Sequence, residues 1–273
     1  VRDCLGMAYT IGVHGGSPKS FDIYSPIDRY NWEQVYGDTI LDFGAGLMEE
    51  VSMLRDNGFK AIPLEPFVLK KREDGGHFDE LDVHRARELI GEFLDEIDNG
   101  VKFTSVISQT ILNSIPFRED RAKYLLLLSF FCDEETTAFI GTSSNLSPLS
   151  VRRFKADTIS TEAQRTRAFR LDYEENTTIA EVRRNPKVQK FHTREEFADL
   201  VTPYFKEIRF TNRGSNIYAI CKEPTYDFTK KELADAIDFE FNLPYPKKER
   251  LNMHERAKEV LFRRAERLKI FDG

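Results

Sequence analysis

The sequence predicts an α/β fold, a doubly wound and mostly parallel sheet with a terminal antiparallel strand pair, followed by a helical C-terminal extension. Three observations carry this. Thr39 to Phe67 reads as strand, glycine turn, helix and second strand, and Glu65 at its end stands 23 positions after Asp42, the span of one strand-helix-strand unit. Short apolar runs at Val101–Ser108 and Thr136–Gly141 alternate with helical patterns downstream. Lys206–Asn212 and Asn216–Cys221 then flank Arg213-Gly214-Ser215 as the two arms of a hairpin.

Taken in order, residues 1–27 hold Gly6, Gly12, Gly15, Gly16, Pro18 and Pro26 among scattered aromatics and read as irregular structure laid over the domain. His14, in Val13-His14-Gly-Gly-Ser17, is a candidate substrate contact. Asp28 to Val35 is expected as a helix with Trp32 and Val35 packed toward the sheet. Ile40 and Leu41 end a buried strand, and Glu49 to Asn57 form a helix that turns Val51 and Leu54 inward before Gly58 closes it. Ala61 to Leu64 is the second strand. Lys70 to His77 is polar and broken at Gly75-Gly76, so no third strand can be placed there. Asp82 to Asp98 is helical, with Val83, Ala86, Leu89, Ile90, Phe93, Leu94 and Ile97 on one stripe. Residues 118–131 form the next helix, and Thr193-Arg-Glu-Glu196 is a capping box opening a helix to about Tyr204, with Phe197, Leu200 and Val201 inward.

Beyond Pro224 come a helix from Lys230 to Phe239, a break at Leu243-Pro-Tyr-Pro246 and a helix from Asn252 to Ile270. The apolar face of that last helix is Met253, Ala257, Val260, Leu261, Ala265 and Leu268, with Arg256, Arg263, Arg264 and Arg267 expected off it. The chain thus divides into a covering segment (1–27), one domain (28–223) carrying a basic insertion (151–190), and an extension (224–273).

Gly44 and Gly46 permit a turn in which backbone approaches a ligand with no Cβ in the way. A carboxylate at Glu65 can accept both ribose hydroxyls of a nucleoside lying across the strand ends. A dinucleotide fingerprint requires G-x-G-x-x-G. This chain has Glu49 at the third glycine, and an acid there is a poor neighbour for a pyrophosphate seated on the helix start. An uncharged linker carrying a sulfonium fits better. Asp42-Phe-Gly44-Ala45-Gly46, with Glu65 ending the second strand, resembles motif I of the class I S-adenosylmethionine (SAM)-dependent methyltransferases, departing from its commonest form at Met48, where a third glycine often stands. The resemblance covers residues 28–223. It implies a Rossmann-like sheet and S-adenosyl-L-methionine as cofactor, held by Asp42, Gly44, Ala45, Gly46, Glu65, Pro66, Ser108, Gln109 and Thr110. Family members usually place a further acid near the adenine amino group at the end of the third strand; Asp79 and Asp82 are the candidates, and neither follows a strand-like run.

Gln109-Thr-Ile-Leu-Asn113-Ser-Ile-Pro116 follows the strand that ends at Ser108, where open α/β sheets bind ligands. It resembles motif IV of SAM-dependent enzymes, and Ile111 to Arg121 looks like the equivalent stretch of methyltransferases linked to phage and bacterial DNA modification. That narrower resemblance implies a DNA or nucleotide acceptor, with Asn113 as a candidate contact. The standard base-methylation signatures are missing. Gln109-Thr-Ile-Leu lacks the Pro-Pro-aromatic segment of exocyclic-amine enzymes, and Cys4, Cys132 and Cys221 follow Asp3, Phe131 and Ile220 where a cytosine C5 enzyme needs Pro-Cys. No catalytic residue or general base can be named.

The net charge of −6 hides an asymmetry. Residues 1–150 hold 14 Lys+Arg against 25 Asp+Glu, a balance of −11, and residues 151–273 hold 26 against 21, a balance of +5. In Val151 to Lys190, Arg152 and Arg153 are among ten basic residues interleaved with Phe154, Phe169 and Tyr173, a pattern able to grip a phosphate backbone and stack bases. A charged substrate lid accounts for it equally well. The cysteines are odd in number and widely spaced, which points to reduced thiols in a cytoplasmic setting, and no metal-ligand spacing is present. No apolar run approaches the ~20 residues needed to span a membrane. The chain starts at Val1 without a methionine, basic start or apolar leader, as a processed or excised fragment would. Three function classes remain: a SAM-dependent methyltransferase, a nicotinamide-dependent oxidoreductase, and a non-catalytic module binding nucleic acid or a partner.

Overall fold

The computed structural model describes residues 32–71, 77–146, 168–170, 174–180, 187–213, 216–245 and 249–271. Among them are strands β1 (Thr39–Phe43), β2 (Lys60–Leu64), β3 (Leu69–Lys71), β4 (His77–Leu81), β5 (Ser105–Gln109), β6 (Thr137–Ser143), β7 (Ala168–Arg170), β8 (Thr177–Ala180), β9 (Lys187–Lys190), β10 (Phe205–Arg213) and β11 (Asn216–Pro224). The helices are α1 (Glu49–Asp56), α2 (Val83–Asp98), α3 (Arg118–Phe130), α4 (Arg194–Val201), α5 (Lys230–Phe241) and α6 (His254–Arg267). The main sheet has the order β10-β11-β6-β5-β1-β2. β2, β1, β5 and β6 run parallel, and β11 is antiparallel to both β6 and β10. The expected doubly wound sheet with a terminal antiparallel pair is present.

Four of the five residues in each of β1, β2 and β5 are buried, as strands covered on both faces require. Because adjacent side chains point to opposite faces, the strands feed two separate cores. Ile40, Ala61, Ile107 and Phe139 pack with Trp32 and with Val51 and Leu54 of α1. Leu41, Phe43, Ile62, Leu64 and Val106 pack beneath α2, α3, α5 and α6. Local signals set the helix ends. Thr193 and Glu196 form the expected capping box, Thr229 and Glu232 form a second one at α5, and Gly58 (φ +83°) and Gly100 (φ +82°) take the left-handed turns that close α1 and α2.

The missing third strand has a physical reason. Lys60 N–H donates to Asp38 C=O at 2.9 Å and Leu64 C=O accepts from Gly44 N–H at 2.8 Å, so the even-numbered residues of β2 face β1. The alternate residue Pro63 therefore turns its nitrogen outward, where it has no hydrogen to offer a further strand. The chain forms the separate antiparallel hairpin β3-β4 instead, and Asp82 serves as the N-cap of α2, accepting from Arg85 N–H at 3.0 Å. The Asp79 side chain lies outside the described residues.

Other expectations need correction. Val35 is 64% exposed, so residues 32–36 turn Trp32 and not Val35 to the sheet. β5 begins at Ser105 rather than Val101, because residues 101–104 are the link that follows the Gly100 turn. Arg264 is buried, not off the apolar face of α6: positions 257, 260, 261, 264 and 265 fall on one helical stripe. Its guanidinium donates to Phe130 C=O, Phe131 C=O and the Asp133 carboxylate at 3.3, 3.2 and 2.7 Å, satisfying carbonyls at the end of α3 that have no partner within their own helix. Arg256 and Arg263 pair with Asp95 and Asp98 of α2, and Arg267 donates to Ile97 C=O, so these arginines face their own domain. α5 packs on α3, and α6 on α2 and α5. No helix among the described residues is long and apolar enough to cross a membrane. The covering segment 1–27 with His14, and Arg152 and Arg153 with most of the basic insertion, lie outside the described residues; β7, β8 and β9 form a three-stranded antiparallel sheet within that insertion.

Candidate active site

A cavity of about 100 Å³ opens at the carboxyl ends of β1, β2 and β5. Asp42, Gly44, Ala45, Gly46, Glu65, Pro66, Gln109 and Thr110 all line it, so eight of the nine residues expected to hold a cofactor share one cleft. The ninth, Ser108, is a wall behind it. Its hydroxyl meets Tyr124 OH at 2.8 Å, and Tyr124 OH also reaches Phe43 C=O at 2.8 Å, fixing a ring that does line the cleft. Asn113 does not line the cavity. It is buried, and its backbone C=O accepts from Lys190 N–H at 2.8 Å.

The loop after β1 is held by Glu65. One carboxylate oxygen accepts from Gly46 N–H at 2.6 Å and the other from Phe67 N–H at 2.6 Å, tying the glycine turn to the end of β2. Gly44 and Gly46 have φ of +89° and +53°, which explains glycine at both positions. Their surroundings differ. A Cβ on Gly46 would meet nothing within 4 Å, whereas one on Gly44 would lie 2.5 Å from the Ile111 side chain. The space at Gly44, expected to serve a passing ligand, is occupied by Ile111. Thr110 also has a left-handed backbone (φ +57°), held by its N–H to Gly141 C=O at 2.9 Å. For a β-branched residue this is a strained conformation, of the kind that concentrates at ligand-binding edges.

The cleft is acidic. Asp42, Glu50, Glu65 and Glu240 line it, and no lysine, arginine or histidine does among the described residues. Burial raises the Asp42 carboxyl to about 8, with Glu50 and Glu65 adding repulsion. Burial raises Glu65 to about 7 against the lowering effect of its two amide donors. Glu240 rises to about 8 through burial and the nearby Glu65, and burial also raises Glu50. In an unfolded chain these groups titrate at about 4. Between that value and pH 7 to 8 the folded protein holds protons that the unfolded chain has released, so this stability is complete below pH ~4 and is lost as pH rises through 8. The melting temperature of the ligand-free protein is therefore expected to fall between pH 5 and pH 9, by an amount on the order of a few kcal/mol in unfolding free energy. Scanning calorimetry of wild type beside Asp42→Asn measures it; a flat wild-type profile would contradict the assignment.

Sequence reasoning missed the part of the cleft contributed by α5 and the turn after it: Phe239, Glu240 and Leu243 line it, and Tyr245 OH donates to Pro66 C=O while its ring lies 5.8 Å from that of Phe67. A signal existed. Leu233, Ala236, Ile237, Glu240 and Phe241 form one buried stripe, and an acid in such a stripe is out of place unless it serves a site.

No family model and no curated protein matches the chain. Among solved structures, the PH0226 protein of Pyrococcus horikoshii is 15% identical over 77% of this chain and 100% of its own, with a TM-score of 0.43. A SAM-dependent methyltransferase of Clostridium acetobutylicum is 11% identical over 74% of this chain and 92% of its own, with a TM-score of 0.42. The sugar N-methyltransferase KedS8 of Streptoalloteichus is 11% identical over 77% and 96%, with a TM-score of 0.43.

Proposed function

We propose that the chain is a class I SAM-dependent methyltransferase. The observation that carries this reading is the cleft itself: a left-handed glycine turn and four carboxylates, with no cation among its described lining, at the strand ends where an α/β sheet binds its ligand. Such a cavity suits a cationic ligand, whose charge favours the ionised form of acids that burial and mutual repulsion keep protonated in the ligand-free protein. S-adenosylmethionine would supply a methyl group on a positively charged sulfur. Glu65 spends one lone pair of each oxygen on Gly46 and Phe67, and the remaining pairs are available to two ribose hydroxyls. The Asp42 carboxyl accepts no hydrogen bond from a described residue and is open to the ligand's ammonium. Gly46 leaves the backbone open beside it, and Gln109 and Thr110 flank the reacting end. Methyl transfer is an in-line displacement, so the protein acts chiefly by alignment and exclusion of water, effects worth ~7–11 kcal/mol at their upper range.

The same four acids disfavour a nicotinamide dinucleotide, whose pyrophosphate needs cations or N–H donors and would meet Glu50 in the first turn of α1 and three further acids. They equally disfavour a phosphate-bearing acceptor inside the cleft. A link to phage or bacterial DNA modification therefore rests on the resemblance of Ile111 to Arg121 alone. Calorimetry with S-adenosylhomocysteine tests the reading. Wild type should bind, Glu65→Ala should bind about 10- to 100-fold more weakly, as loss of a charged acceptor worth ~1.5–3 kcal/mol predicts, and NADH should not bind. Salt-dependent DNA binding with no affinity for S-adenosylhomocysteine would establish the non-catalytic module instead.

A further inference from the structure

Resting on that reading, we propose that the methyl acceptor is an amine, bound as its ammonium form, and that Glu240 is the residue that receives it and takes its proton. Glu240 reaches the cleft from α5, outside the strand-helix-strand unit that would hold the methyl donor. It is 5% exposed and lines the cavity, and its carboxyl accepts no hydrogen bond from any described residue. A buried carboxylate left without a donor is costly unless a ligand supplies one. Asp42 is the other acid in the cleft whose carboxyl has no described donor, and Glu65 interacts electrostatically with both. Two unpartnered acids match two cations: one on the donor, one on the acceptor.

The groups facing Glu240 sharpen the assignment. Glu65, Tyr124 from α3 and Tyr245 from the turn after α5 interact with it electrostatically, and Asp42 and Glu50 line the same cleft. All are acids or phenols. Lys123 sits over the Phe239 ring and pairs with Asp120 at 3.0 Å, and it does not line the cleft. A phosphate or carboxylate acceptor would be repelled here, while an ammonium gains both a counter-charge and an acceptor for its hydrogens. Burial and Glu65 bring the Glu240 carboxyl closer to the range in which amines titrate, as a general base for this step requires. The reaction then balances. An R–NH3+ proton passes to the Glu240 carboxylate, the freed nitrogen lone pair forms the bond to the methyl carbon, and the carbon–sulfur bond breaks with its electron pair remaining on sulfur, which becomes a neutral thioether. The methylated nitrogen carries the positive charge away.

Transfer of a labelled methyl group to a panel of defined probes tests this: an amino sugar, a biogenic amine, a catechol, a simple thiol and an oligodeoxynucleotide. Amines alone should be methylated. Glu240→Gln should lower amine turnover on the order of 100-fold or more, leave S-adenosylhomocysteine affinity within about threefold of wild type and abolish the rise of kcat with pH. Methylation of a hydroxyl, the thiol or DNA in place of amines, or of none of the probes, overturns the proposal. So does a Glu240→Gln enzyme with amine turnover near wild type. Failure of the wild type to bind S-adenosylhomocysteine would instead remove the methyltransferase reading beneath it.

Discussion

Gly44→Val is expected to lose the folded cleft and all binding of S-adenosylhomocysteine. Two independent penalties act at this position. The backbone φ of +89° is closed to a β-branched residue, and left-handed backbone costs even an ordinary side chain ~1–2 kcal/mol. In addition, the new Cβ would stand 2.5 Å from two carbons of Ile111, an overlap that one of them must vacate. Ile111 lines the cleft and Gly44 N–H ties the turn to Leu64, so relief of the overlap moves the site itself. Gly44→Ala separates the two causes. Alone it should lower stability by about 2 kcal/mol or more, and combined with Ile111→Ala it should lose only the backbone part, leaving a coupling that a double-mutant cycle reads directly. Additive effects in urea denaturation would show that Ile111 is not what fills the space.

Arg121→Ala is expected to cost ~3–5 kcal/mol, the usual consequence of removing one partner from a buried ion pair. Arg121 is 1% exposed. Its guanidinium donates to Ile115 C=O at 2.8 Å, to Pro116 C=O at 3.3 Å and to the Glu174 carboxylate. Lys190, equally buried, lies 3.5 Å from Glu174 and 2.8 Å from Glu196 and donates to Glu175 C=O at 2.6 Å. The network thus joins α3, the end of the insertion and the capping box of α4 beneath one turn. Because Ser114 and Ile115 of that turn line the cleft, the variant should also bind S-adenosylhomocysteine more weakly. A loss below about 1 kcal/mol in urea denaturation would mean the network holds nothing together.

The legible part of this molecule was its local part. Asp42, Gly44, Gly46 and Glu65 sit within one strand-helix-strand unit, where strand alternation, helix length and left-handed glycine turns are set by near neighbours, and all four reach the cleft. Ser108 and Asn113 lie near the same strand end in sequence, yet Ser108 braces Tyr124 and Asn113 turns its carbonyl to Lys190, partners that proximity to a strand end does not specify. Glu240 and Tyr245 could not be read from spacing. Tyr245 is 179 positions from the Pro66 carbonyl it holds, a contact that only tertiary packing makes. What the sequence did contain was charge in apolar stripes, at Glu240 in α5 and Arg264 in α6. In each case the misplaced charge marks a buried role, the first open to the cleft and the second completing the end of a neighbouring helix.

Pro63 reaches beyond the choice of hairpin over third strand. The outer rim of β2 offers an incoming polypeptide an imide nitrogen at its centre, and the Ala61 carbonyl beside it is already taken by Arg55 at 2.9 Å. A second molecule cannot continue the hydrogen-bond ladder there, so this side of the sheet resists edge-to-edge growth into fibrils. The residue that shortens the sheet also keeps neighbouring molecules from lengthening it.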